Sequence, residues 1–221
     1  MKCFSILIVF ISLFSYSQKR EYSFDYLLEY EFTFHKENVA RAKYYLTNSK
    51  DNSYLAIIKE SDSLHFDLIF KHHDKAYANV KLLKSDFYKA EFINIDCESV
   101  VTNIKKYKIK DIVIETHKDT LINNEAYFIF KMELKNKPTN PKKRIGLVTK
   151  YFITNKNSVF HLPVYEDFHD FNRWTQHKKM PNGIYNQLLL VDLFDQPHAS
   201  EILQSFHKID KKIIISNGCN H

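Results

Sequence analysis

Between residues 161 and 181 the chain reads HLPVYEDFHDFNRWTQHKKMP, which gathers His161, His169 and His177 with Glu166, Asp167 and Asp170. Imidazole and carboxylate are ligands that a borderline divalent metal accepts, so a metal site is chemically conceivable there. The spacing argues otherwise. Zinc ligands come in pairs about two to five residues apart, whereas each of these histidines stands eight residues from the next. Polar residues on an exposed loop account for the same composition, and no metal or cofactor is expected. His72-His73-Asp74 reads in the same way as a turn.

Other chemistry is thinner still. The nucleophile and zinc-protease patterns G-x-S-x-G and H-E-x-x-H do not occur. Three glycines, Gly146, Gly183 and Gly218, lie too far apart to cradle a phosphate. Glu29 and Glu31 would share one strand face about 7 Å apart, a spacing usable by an acid-base pair, but such pairs more often solubilise an outer face. The sequence therefore points to a protein that is not an enzyme.

The elements behind these residues are strands. Phe24, Tyr26, Leu28, Tyr30, Phe32 and Phe34 alternate with mostly acidic or polar residues, the period of a strand with one dry face. Leu64, Phe66, Leu68 and Phe70 repeat the pattern, as do Ala126, Phe128, Phe130, Met132 and Leu134, and then Leu147, Thr149, Tyr151 and Ile153. Weaker strands are expected at 42–47, 53–60, 76–83, 90–96, 109–117 and 211–216. Turn formers separate them, among them Ser61-Asp62-Ser63, His73-Asp74-Lys75 and Asn123-Asn124. With so few glycines, positive φ must fall on Asn and Asp.

The last third reads differently. Residues 162–183 lack a regular period and are expected to form a long loop over the sheet. The apolar run 184–194 is of undetermined type. After Pro197, residues Ala199, Ile202, Leu203 and Phe206 fall at i, i+3, i+4 and i+7, which predicts a helix over 197–208 that covers or plugs the sheet. Val100, Ile104 and Tyr107 suggest another short helix. The expected fold is mainly β: a curved antiparallel sheet or half-barrel with one or two helices packed on it.

The first residues, MKCFSILIVFISLFSYSQKR, have a basic start, an apolar run from Cys3 to Phe14 and small residues at Ser15 and Ser17. That run is shorter than the roughly 20 residues of a spanning helix and suits a secretory signal. Residues 1–17 are expected to be removed, leaving 18–221 as a single β-rich domain without a transmembrane segment, exported either to the periplasm or to the extracellular side and outer envelope. The whole-chain net charge is +6. Its densest basic runs are Lys105 to Lys110 and Lys142 to Arg144. Scattered charge and export argue against a nucleic-acid partner. Removing the leader leaves Cys97 and Cys219, which outside the cytoplasm form either a bridge or two separate thiols.

A curved sheet faced with Phe, Tyr and Leu either packs a solid core or encloses a lipid-sized cavity. The leader, the aromatic first strand, the stretch KDTLINNEAYFIFKMEL, then TKYFITNKNSVFHLP and MPNG together resemble the LolA-like secreted half-barrel proteins of the Gram-negative envelope. The resemblance is architectural and strongest over 112–185. It implies that Phe24, Tyr26, Leu28, Tyr30 and Phe32 face an apolar concavity that takes a lipid or a lipoprotein acyl chain. The carriers' characteristic arginine has no counterpart here. The alternative is an envelope structural protein with a solid core, whose 162–183 loop binds another envelope protein.

Overall fold

The first strand, β1 (Lys19–Phe34), runs for sixteen residues in a computed structural model that describes residues 19–102, 111–117, 119–136, 148–177, 180–192, 194, 196–216 and 219. The expected leader, both basic runs, Ile104 and Tyr107 lie outside the described residues. Short turns carry the chain from β1 through β2 (Val39–Asn48), β3 (Asp51–Glu60), β4 (His65–His72) and β5 (Ala76–Leu83). A short helix α1 (Lys84–Lys89) and the small strands β6 (Phe92–Ile95) and β7 (Val100–Val101) follow. Then come β8 (Ile112–Thr116), β9 (Thr120–Ile122), β10 (Glu125–Leu134), β11 (Val148–Asn155), helix α2 (Phe168–His177), β12 (Tyr185–Asp192) and β13 (Pro197–Ser216).

All described strands belong to one sheet, ordered β7-β5-β4-β3-β2-β1-β13-β12-β11-β10-β8, with β6 against β13 and β9 against β10. Tight polar connections make sequential strands antiparallel neighbours. The β13–β6 pair is the parallel exception. Positive φ falls on Asn38, Asp74, Asn123 and Asn124, the last two forming the turn between β9 and β10, where paired positive φ matches hairpin twist.

Two cores occupy the two faces. On β2 and β3, Leu46, Ala56 and Ile58 join one cluster while Tyr45, Leu55 and Ile57 join the other, as period-two alternation requires. Five consecutive buried residues, Tyr54 to Ile58, are what a strand covered on both sides needs. The first core is closed by Phe87 of α1, by Ile93 and Ile95 of β6 and by Cys219. Trp174 of α2 closes the second, together with Val164, Tyr165 and Met180 from the flanking segments.

Three expectations change. First, residues 197–208 are strand, not helix: β13 pairs with β1 along fifteen rungs on one side and with β12 on the other. A central strand satisfies its backbone on both edges, and that outweighs a chance i, i+3, i+4, i+7 spacing. Ile202 and Phe206 of the supposed stripe are more than two-fifths exposed. Second, 162–183 is not a bare loop, because it contains α2 and buries Val164, Tyr165, Trp174 and Met180. Third, Val100 lies in β7 rather than a helix. Within the run 184–194, Tyr185–Asp192 form β12.

Candidate functional site

The expected inner face of β1 divides. Its ladder with β13 shifts register between Phe24 and Tyr26, an irregularity of the kind that locally increases twist. Phe24 joins the first core, whereas Tyr26, Leu28 and Tyr30 are packed into the second. The five residues thus do not form one face. Phe32, half-buried two residues beyond Tyr30, is the member of the set that lines an open hollow.

That hollow is a cleft of about 410 Å³. Its apolar walls are Phe32 of β1, Val148 and Phe152 of β11, Val164, and Leu188 and Leu190 of β12. Charged residues reach it from five directions: Lys43 of β2, Lys59 of β3, Lys71 of β4, Lys150 of β11 and Glu201 of β13. Glu166, Asp167 and Asp170, which the sequence suggested as loop acids, meet these cations.

At its floor, Lys43 Nζ donates to Glu201 Oε1 at 2.5 Å and to Glu166 Oε2 at 2.6 Å. Glu201 also accepts from the hydroxyls of Tyr185 at 2.6 Å and Tyr45 at 3.1 Å, and Tyr30 donates to the Tyr185 carbonyl at 2.8 Å. Burial alone would lower the Lys43 pKa, but Glu201 and Glu166 outweigh it and the net shift is upward. Burial likewise works to raise Glu166, yet Lys43 and Lys71 hold it down at about 2. Burial pushes Tyr30, Tyr45 and Tyr185 well above the usual phenol range. A buried charge persists only when paired and hydrogen-bonded, and here each is. Beside α2, Lys150 pairs with Asp170, and with Asp167 at 3.7 Å. Burial raises the Asp170 pKa.

The histidines do not converge. His161 is buried, its Nδ1 donating to the Leu162 carbonyl at 2.5 Å and its Nε2 accepting from Thr47 Oγ1 at 2.9 Å. Burial lowers its pKa. His169 lies in the first turn of α2 and His177 is that helix's last residue. No group of three or more potential metal ligands stands together among the described residues. Cys97 and Cys219, by contrast, meet in a disulfide with their Cα atoms 4.8 Å apart, tying the C-terminal tail to the segment after β6.

The Lys43–Glu201–Tyr185 network was hidden in the sequence. Glu201 and Lys43 are 158 residues apart, and nothing local marks either. The one available signal was a lone acid in an otherwise strand-compatible run, which the helical reading of 197–208 obscured.

No protein-family model matches the chain, and no curated protein matches it in sequence. Among solved structures it is similar to the Pseudomonas aeruginosa MucA/MucB complex, with TM-score 0.40 and 3% identity over 87% of this chain and 52% of that one, so it spans about half that chain's length. It is also similar to a Vibrio parahaemolyticus outer membrane lipoprotein-sorting protein domain, with TM-score 0.30 and 10% identity over 92% and 91% of the two chains. A third is a DUF1329 family protein from Desulfovibrio piger, with TM-score 0.30 and 10% identity over 94% and 92%. Among the described residues no helix is long and apolar enough to cross a membrane.

Proposed function

We propose that the chain is exported, loses residues 1–17, and works without catalysis as a binder of an acyl chain, borne by a lipid or a lipoprotein, in the cleft beside Phe32. The carrying observation is the cleft itself. Its volume of about 410 Å³ lies within the roughly 300–1,000 Å³ of small-molecule sites. One side offers aliphatic and aromatic wall, and the other offers charge for a polar head. Export is supported by the Cys97–Cys219 bridge, which an oxidising compartment sustains. Absence of catalysis is supported by the floor network, whose acids and phenols bond one another. A partner-binding role for 162–183 has less support, because its large apolar residues are buried in the second core.

Each methylene withdrawn from water contributes about 0.8 kcal/mol, so affinity should climb with acyl length until the cleft is full. The test is titration of the delipidated protein with a fatty-acyl series, alongside Leu190→Trp, which fills the cleft from its wall. Saturable one-to-one binding that grows with chain length and is lost in L190W, at unchanged melting temperature, is expected. Absence of saturable binding at every length, or binding indifferent to L190W, would overturn the proposal.

A further inference from the structure

We infer that the ligand of this cleft carries an anionic head, received at the Arg41–Lys59 end. The inference rests on the cleft being the ligand site and adds the chemical class of what enters it. A second hollow, of about 490 Å³, shares Phe32, Lys43 and Lys59 with the first and adds Ala40, Arg41, Ala42 and Glu60. Strand geometry explains the cluster. Alternation puts Arg41 and Lys43 on one face of β2, Lys59 stands opposite Lys43 on β3, and Phe32 stands opposite Arg41 on β1.

Three cations therefore line the second hollow against one acid, and that acid is engaged: Glu60 accepts from Lys84 Nζ at 2.7 Å. Lys43 is held by Glu201 and Glu166. Arg41 has only Glu37, at 3.5 Å, with both side chains more than half exposed, a pairing of little strength. The ammonium of Lys59, a ladder residue of β3, makes no hydrogen bond or ion pair among the described residues. Asp67 faces it across the β3–β4 ladder without pairing. Glu166, which feels the Lys59 charge, is already bonded to Lys43 and Lys71. Two cations thus stand beside the apolar wall with capacity for an anion. A chain lying along Phe32 toward Leu188 and Leu190 would leave its head between them.

The experiment compares dodecanoate, dodecanol and dodecylamine by calorimetric titration of the purified, delipidated protein at low and high ionic strength. Two exposed cations should favour the acid over the alcohol by about fivefold or more, with the amine weakest. Salt should erode that preference, and Arg41→Gln/Lys59→Gln should bring the acid-to-alcohol ratio to about one. Equal binding of acid and alcohol by the unaltered protein, or tightest binding of the amine, overturns the anionic head while leaving the cleft reading intact. Binding of none of the three overturns the cleft reading itself. A lauroyl lysophosphatidylglycerol arm separates the sources. The same dependence on Arg41 and Lys59 there assigns a phospholipid head, and its restriction to dodecanoate assigns a free carboxylate.

Discussion

Lys43 Nζ lies 2.5 Å from Glu201 Oε1 with both side chains more than nine-tenths buried, joining the second strand of the chain to the last across β1. Removing one member of such a pair strands the other charge without solvent, which typically costs about 3–5 kcal/mol. Lys43→Met should therefore lower unfolding free energy in urea by that order, since it leaves Glu201 and Glu166 without their shared ammonium. Lys43→Met/Glu201→Gln should be less destabilised than the two single variants added together. Strict additivity in the double-mutant cycle would mean that the pair is not coupled.

Acid should loosen the protein through His73. Its ring is 5% exposed and stacks on Phe171 at 4.5 Å, and burial, helped by Lys71, depresses its pKa to about 4. The unfolded chain binds this proton near pH 6.5 and the folded one only near 4. The stabilisation is thus complete above 6.5 and lost as pH falls toward 4, by up to about 3 kcal/mol. Urea midpoints measured across that window should fall with pH in the parent, and the slope should flatten in His73→Phe. An unchanged slope would remove His73 from the account.

The disulfide closes a loop of 122 residues, and loss of such a cross-link commonly costs about 2–4 kcal/mol. Cys219 is also buried in the first core beside Ile213 and Ile215. Reductant should lower the melting temperature of the parent but not that of Cys97→Ser/Cys219→Ser, which should already melt at the lower value.

Gly183 has φ +141°, and an added Cβ would lie 2.5 Å from Thr154 Cγ2 and 3.0 Å from Ser158 Oγ. Ser158 Oγ in turn accepts from the Ile184 amide at 2.9 Å, which positions the entry into β12. Gly183→Ala should cost roughly 1–3 kcal/mol through backbone strain and contact together. Adding Thr154→Ser, which removes the clashing methyl, should restore part of that loss and leave the backbone share. Chemical denaturation of the three variants measures both portions.

Much of the sheet was legible residue by residue. Phe66, Leu68 and Phe70 are buried as their alternation required, and Asn123-Asn124 makes its turn with positive φ at both positions. The reading failed where a local pattern competed with a distant partner. On β11 the alternation of Thr149, Tyr151 and Ile153 marks a dry face, and Thr149 is buried, yet beyond it Phe152 and Thr154 are buried in place of Tyr151 and Ile153. The same competition turned the supposed helical stripe at 199–206 into strand. Of the site, Phe32 is legible from its alternation and Glu166, Asp167 and Asp170 from the composition of their segment, whereas Lys43, Lys59, Tyr185 and Glu201 are not, because their sequence neighbours say nothing of which charges they meet.

The order of side chains alone determined that this chain makes long strands joined by polar turns, since a period of two can bury one face only in extended backbone. Tertiary structure decided the rest: which face of each strand became core, that the last strand lies beside the first, and that four lysines and four acids gather beside one apolar wall. Those outcomes depend on register and twist summed over strands far apart in sequence. A single shift beside Asp25 separates Phe24 from Tyr26, and no local pattern encodes it.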